Sequence, residues 1–389
     1  MGDTRLSGAV VAFANDWGTD PTSKHHLMRL LAERRDVLWV EASGMRRPTA
    51  TSAADLRRIV AKLRKMGGGT RAGAPGMTVL SPPSVPYPTH PAAQRLNAVL
   101  YRRAIRDALS EMGHHDDPLL WVYTPTTARY LDRIPARGLV YHCVDRWWAF
   151  EEYDAAEMRA CHEILCRRAD HVFVSSLELQ RDCVGLTDRV SYVPHGVEWA
   201  HFRRAVDEAL PRPAGIPNDG RPVIGFVGMI DAWVDLELLA RMARQHPDAH
   251  VVIVGHARVP IDRLEGIPNL HLLGRRPFAE LPGYLAAFDV ALIPFMVNEL
   301  TLAVNPIKLR EYLSAGVPVV TTALPELEPF RDREGVDVVD NNAEFLAAVA
   351  SRIAIRPDMA MRRRLSDSMQ TESWPGRLDT MLQQLNGQF

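Results

Sequence analysis

Short apolar runs alternate with longer stretches in which apolar residues recur every three or four positions, and the alternation restarts midway along the chain. Residues 8–14 read as a first buried strand. Asn15, Asp16, Trp17 and Gly18 follow as a loop, Ser23 offers a cap, and residues 24–34 carry Leu27, Leu30 and Leu31 on one helical face. Residues 37–41 are the next strand. Strand, loop, helix, strand in that order predicts a parallel sheet with right-handed crossovers and ligand loops at the carboxyl ends of its strands. The loop at Asn15, Asp16 and Trp17 is therefore a candidate site wall, with a structural turn as the plain alternative. A long helix at 92–112 and strands at 119–123, 139–143 and 171–175 continue the pattern, and 191–194 closes it. After the Pro- and Gly-rich stretch 211–221 the pattern begins again: strand 223–227, helix 236–244, strands 251–254 and 270–273, helix 279–287 and strand 290–294. The chain reads as α/β with two domains of similar kind, without sequence repeats or low-complexity tracts.

The stretch from Leu302 to Leu324 is the most structured of all. Asn305 and Pro306 predict a helix start, with the asparagine as cap and the proline at the first helical position. Gly316 offers a left-handed stop, Pro318 prevents continuation, and Val319, Val320 and Thr321 form a strand. A helix opening from a loop in an α/β chain suits a phosphate group. The helix start at Asn305–Lys308 would supply backbone N–H groups, with Lys308 as a candidate cation. Glu311 stands six residues beyond Asn305, or roughly 9 Å at ~1.5 Å per residue, about the separation of a diphosphate from its ribose. A carboxylate there can accept hydrogen bonds from ribose hydroxyls; the plain alternative is a solvated helix residue.

The 389 residues suffice for two domains with sizeable cores. A net charge of −1 gives no bulk preference for nucleic acid. The four cysteines, Cys143, Cys161, Cys166 and Cys183, lack metal-type or redox-type spacing, so reduced thiols are expected. Neither a signal-like amino terminus nor a run of ~20 apolar residues is present, so a cytoplasmic protein is expected, with membrane association through one segment as an option. That segment is 55–66, where Leu56, Ile59, Val60 and Leu63 share one side and Arg57, Arg58, Lys62, Arg64 and Lys65 surround it. It reads either as a packed helix with a solvated basic face or as a peripheral contact with anionic lipid.

The run NPIKLREYLSAGVPVVTTALPE resembles the nucleotide-sugar site of GT-B glycosyltransferases, in particular the retaining family four, in the glycosyl transferases group 1. Glu311, Gly316, Pro318 and Val319 match its motif, whose glutamate holds the donor ribose. Ala303 stands where the family often has a further glutamate, and Glu299 is out of register with it. The segment VPHGVEWAHF, with His195 and Glu198, is similar to the family's interdomain segment. LVYHCVDRWWAF is similar to a stretch of bacterial polysaccharide glycosyltransferases. It places Asp145 after a strand and makes it, with His142 behind it, the catalytic candidate; Trp147 and Trp148 are candidates for sugar stacking, with packing as the plain reading for one of them.

The resemblance implies a GT-B fold, two Rossmann-like domains facing a central cleft. The expected divisions are an acceptor-side domain at 1–210, a nucleotide-sugar domain at 211–372, and a terminal helix at 373–389 crossing back to the first. Val304, Asn305, Lys308, Glu311, Gly228, Arg275 and Arg276 are the implied donor-binding residues. Asn15, Asp16, Trp17 and Trp147 line the acceptor side. The basic pair expected after the second domain's first strand is missing, with Met229 and Val234 in its place, and the adjacent Arg275 and Arg276 are either a partial replacement or simply solvated. The implied activity is transfer of a sugar from a nucleotide diphosphate to a carbohydrate or lipid-linked acceptor, with retention, in bacterial exopolysaccharide or cell-envelope glycan synthesis. No cofactor is implied, the nucleotide sugar being a substrate, and no metal, since the chain has no Asp-x-Asp. Two rival classes remain: a nucleotide-sugar epimerase of GT-B shape and a non-catalytic nucleotide-sugar-binding subunit.

Overall fold

The computed structural model describes residues 8–15, 17–18, 21–41, 69–84 and 91–385. Asp16 and the basic segment 55–66 lie outside them. Contacts divide the chain into two compact units, Met1–Pro194 with Leu378–Phe389, and His195–Arg377.

The first unit is built on an eight-stranded sheet. Its strands are Val10–Ala14 (β1), Val37–Glu41 (β2), Thr70–Ala72 (β3), Met77–Leu80 (β4), Leu119–Val122 (β5), Gly138–Cys143 (β6), His171–Val174 (β7) and Val190–Tyr192 (β8). They lie in the order β3-β4-β2-β1-β5-β6-β7-β8, parallel except for the β3–β4 pair. β1, β2, β5, β6 and β7 are buried along their whole lengths, as strands covered on both faces must be. This is why they appear in the sequence as unbroken apolar runs. The exposed β3 has no such signature, and the pattern did not announce it. The first helix, Ser23–Ala32, starts one position earlier than expected: Thr22, not Ser23, occupies the cap position, and the His25 ring nitrogen accepts its backbone N–H at 3.1 Å.

The second unit holds Val223–Val227 (β9), His250–Val254 (β10), Leu270–Gly274 (β11), Val290–Ile293 (β12), Val319–Thr322 (β13) and Val336–Val339 (β14), all parallel. Their order, β11-β10-β9-β12-β13-β14, reverses direction between β9 and β12, the dinucleotide-fold order. Apolar cores fill both faces, one around Phe288, Tyr312 and Leu324, the other around Leu238, Ile253 and Phe345.

The chain passes into this unit at His195. Phe202 and Ala205 of helix Trp199–Asp207 are buried in its core, and Val197 bridges Ser373. A Cβ at Gly196 would stand 2.8 Å from the Trp374 nitrogen, so this crossing needs a glycine. The last helix, Trp374–Leu385, begins in the second unit and from Leu378 onward counts with the first. There Leu378, Met381, Leu382 and Leu385 are buried, and Asp379 pairs with Arg34 at 2.7 Å. Among the described residues no helix is long and apolar enough to cross a membrane.

Candidate functional site

In the second unit the candidate residues gather beyond the carboxyl end of β9, at the reversal of strand order. Helix Ile307–Ser314 is fixed there by Tyr312, whose hydroxyl accepts the Val227 N–H at 2.9 Å and donates to the Val227 carbonyl at 3.1 Å. The next residue, Gly228, has no side chain to fill the space above it. A Cβ there would lie 3.8 Å from Cε of Lys308. Lys308 in turn donates to Oε2 of Glu311 at 2.7 Å, one helical turn on. Glu311 is only 5% exposed, so it is not the solvated helix residue of the plain reading. Its charge also acts on His201, whose ring stacks on Phe278 at 4.3 Å; burial nevertheless holds the His201 pKa below its ordinary value.

Asn305 is placed otherwise than expected. Pro306 occupies the cap position without a side-chain bond, and the Asn305 amide turns into a buried network. Its Nδ2 donates to Glu326 at 2.7 Å, and its Oδ1 accepts from Arg310 at 2.8 Å. Arg310 also reaches Glu372 at 3.1 Å, and Arg377 joins the same carboxylate. A buried guanidinium needs such partners, and supplying them is what Asn305 does in this structure. Val304 lies in the turn before the helix, its N–H on the Thr301 carbonyl at 3.2 Å. Ala303 is fully buried and Glu299 is exposed on the short helix Glu299–Leu302.

The loops after β9 and β10 are knitted together. Gly255 approaches Gly228 so closely that a Cβ would fall 1.8 Å from its carbonyl oxygen, and Ile230 donates to His256 at 3.0 Å. This brings Arg258 to Asp231 at 3.1 Å. A cation thus stands beside the loop that lacks the expected basic pair. Sequence reasoning missed it because it comes from the neighbouring strand, at a spacing no motif records. Arg275 and Arg276 follow β11, at the sheet edge; Arg275 is exposed, and the Arg276 guanidinium lies 5.9 Å from the Tyr284 ring centre.

The first unit has its own constellation. β1 delivers Asn15, whose Oδ1 accepts from the amine of Lys24 at 3.3 Å. Lys24 is buried, on the first turn of its helix, and lies 5.5 Å from the Trp147 ring centre. β6 delivers Asp145 to the same place. Burial pushes the Asp145 carboxyl up to about 6, and the charge of Lys24 restrains the rise. Burial likewise lowers Lys24 to about 8, against the attraction of Asp145. Lys24 was read from the sequence only as a helix residue; its signal, a lysine at the first turn of a helix following the β1 loop, is weak.

His142 is separated from this group. It is 1% exposed, its ring packed near Tyr123 (4.9 Å), Phe173 (6.0 Å) and Trp121 (6.2 Å), the placement of a core histidine. Trp147 and Trp148 diverge. Trp147 packs on Phe150 and Tyr153 near Lys24, whereas Trp148 packs on His162 and under Arg159. Trp17 joins His25 and Trp39 in an aromatic cluster, and its backbone N–H donates to Oε1 of Glu41 at 3.0 Å.

Residues 221–354 match the family described as Glycosyl transferases group 1. Over 302 residues the chain is 24% identical to TuaH of Bacillus subtilis (strain 168), named as a teichuronic acid biosynthesis glycosyltransferase, covering 72% of this chain and 76% of that one. Among solved structures it is similar to sucrose-phosphate synthase from Thermosynechococcus elongatus, with a TM-score of 0.68, 15% identity and coverage of 97% and 98%. It is also similar to HepE of Anabaena in complex with UDP and glucose, with a TM-score of 0.66, 14% identity and coverage of 97% and 99%. The parallel sheets of both units and the likeness to these solved structures give the chain the GT-B fold, and its residues 221–354 are similar to the glycosyl transferases group 1 family.

Proposed function

We propose that this chain transfers a sugar, with retention of anomeric configuration, from a nucleoside-diphosphate donor to a hydroxyl of a carbohydrate or lipid-linked acceptor, in the synthesis of a cell-envelope or exported polysaccharide. The observation that carries this is the ion pair of the half-buried Lys308 with the buried Glu311, beside Gly228 at the carboxyl end of β9. Glu311 accepts hydrogen bonds from the donor ribose. Lys308 and Arg258 supply positive charge for the diphosphate. The bond between the anomeric carbon and the diphosphate oxygen breaks with its electron pair going to the diphosphate. The acceptor oxygen bonds to the same face, and its proton passes to the departing diphosphate. Asp145 positions the sugar or the acceptor hydroxyl, with Lys24 and Asn15 holding it in place. HepE was solved with UDP and glucose and with UDP-glucose, which favours a uridine donor here, and the name of TuaH favours an envelope glycan.

The test is turnover of a panel of UDP- and GDP-sugars, with and without glycan acceptors, assayed directly after adding excess EDTA. Transfer to an acceptor, undiminished by EDTA, is the expected result. Interconversion of donor epimers without acceptor would instead indicate an epimerase. Tight donor binding with neither hydrolysis nor transfer would make the chain a binding subunit. Activity lost in EDTA and restored by Mn²⁺ or Mg²⁺ would overturn the metal-free mechanism.

A further inference from the structure

The cysteines, unremarkable in their spacing, are gathered by the fold. Helix Ala155–Arg168 carries His162 and Cys166 one turn apart on one face, and Cys183 caps the carboxyl end of helix Leu177–Asp182. Cys166 Sγ lies 3.7 Å from Cys183 Sγ and 3.4 Å from His162 Nε2. The three donor atoms all lie within 4.8 Å of one another, and all three residues are buried. Around a tetrahedral zinc ion, with bonds of ~2.3 Å to sulfur and ~2.0–2.1 Å to nitrogen, adjacent ligands stand about 3.5–3.8 Å apart. The two closest separations here are of that size. The other ring nitrogen, Nδ1, is 3.1 Å from the Tyr141 hydroxyl. The Cys166 sulfur is also 3.9 Å from Nδ1, so it lies beside the ring, and an ion on Nε2 would draw the cysteine side chain toward it. Cys143 lies on the Nδ1 side, 3.9 Å away, outside this donor set.

We propose that His162, Cys166 and Cys183 bind one thiophilic closed-shell cation, Zn²⁺ or Cu⁺, in a structural site. Two thiolates and an imidazole are the donor set such ions prefer. Buried cysteines commonly serve as small apolar residues, but apolar packing does not account for a buried imidazole whose nitrogen lies within 4.8 Å of two sulfurs. The ion would join two helices of the first unit. It would also back Trp148, which packs on His162 at 4.9 Å in the segment that follows Asp145. Because all three ligands are buried, the ion enters during folding.

The experiment is therefore elemental analysis of protein made in zinc- or copper-supplemented cultures, with thiols counted after denaturation in chelator. The expected result is about one equivalent of one of the two metals and four thiols. Cys166→Ser and Cys183→Ser should lose the metal and melt lower. Cys161→Ser should keep it, since that thiol donates instead to Glu157 at 3.1 Å. Protein made with cobalt should show a thiolate-to-metal charge-transfer band, altered in His162→Cys, which retains a donor at that position; this keeps the test decisive where a serine variant does not fold. Metal-free wild-type protein with four thiols would overturn the proposal, as would two thiols, the sign of a Cys166–Cys183 disulfide.

Discussion

Glu311 and Asp145 are both carboxylates beyond a strand end, but their surroundings assign them different work. Glu311 is tied to a cation on its own helix, and in the proposed mechanism it meets the nucleotide. Glu311→Ala should weaken nucleotide binding in calorimetry with the fold unchanged by circular dichroism. Unchanged affinity would remove Glu311 from the donor site. Asp145→Asn should leave nucleotide affinity alone and lower kcat by ~10²–10⁴-fold, the usual cost of losing a positioned acid–base group. The pH profile separates these roles further. Asp145 titrates at about 6, above the 3.8 of a free aspartate, so its protonated form favours folding and that contribution is lost as pH rises through 6. Lys24 titrates at about 8, below 10.5, so its contribution is present above 10.5 and is lost as pH falls through 8. Near neutrality both are charged at some cost to stability, as expected where function sets the charges. Activity should rise with pH through about 6. Lys24→Met removes the charge that restrains Asp145 and should move this limb upward. A limb that stays in place in Lys24→Met would show that another group titrates.

At the level of elements, helix Ile307–Ser314 shows what the sequence disclosed and what it did not. Its carboxyl end was legible. Gly316 has φ +71°, its N–H meets Leu313, and Val317 closes on Tyr312 at 2.9 Å. Gly316→Ala should therefore cost about 1–2 kcal/mol for the left-handed backbone alone. More follows from the Arg362 carbonyl, 2.7 Å from the new Cβ. Denaturant melts of the variant will measure this, and an unchanged midpoint would mean that the turn relaxes freely. The start of the same helix was misjudged because Asn305 has a stronger claim on it, the buried Arg310 of that helix and Glu326, which comes from beyond β13. The same reason hid Arg258 and Lys24: local patterns encode caps and periods, whereas a partner brought by another strand leaves no local trace. The basic segment 55–66 remains a question of composition. If it docks on anionic lipid at ~1 kcal/mol per basic residue near the surface, replacing Arg57, Arg58, Lys62 and Lys65 with glutamine should abolish salt-dependent liposome binding. Equal binding by parent and variant would rule that contact out.

For the whole molecule, the alternation of apolar runs and helical periods was enough to infer two parallel-sheet units, because buried parallel strands must be apolar on both faces. The exposed β3 escaped for the same reason. The place where the chain changes unit was harder to read. The Pro-rich stretch 211–221 has the composition of a linker, yet contacts change allegiance at His195, before helix Trp199–Asp207, whose apolar face belongs to the second core. The return of the chain at Leu378 bears on how the protein is made. The first unit is discontinuous: its last buried side chains, Leu378, Met381, Leu382 and Leu385, leave the ribosome after every residue of the second unit. Synthesis runs from the amino terminus, and domains generally fold as units while it proceeds. Here the unit begun first must be finished last, and the second unit can be complete while the first still lacks part of its core. Nascent chains arrested just short of residue 378 should bind nucleotide yet leave the first unit open to protease. Chains carrying the final helix should close it. Equal resistance before and after those residues emerge would mean that the first unit folds without waiting for them.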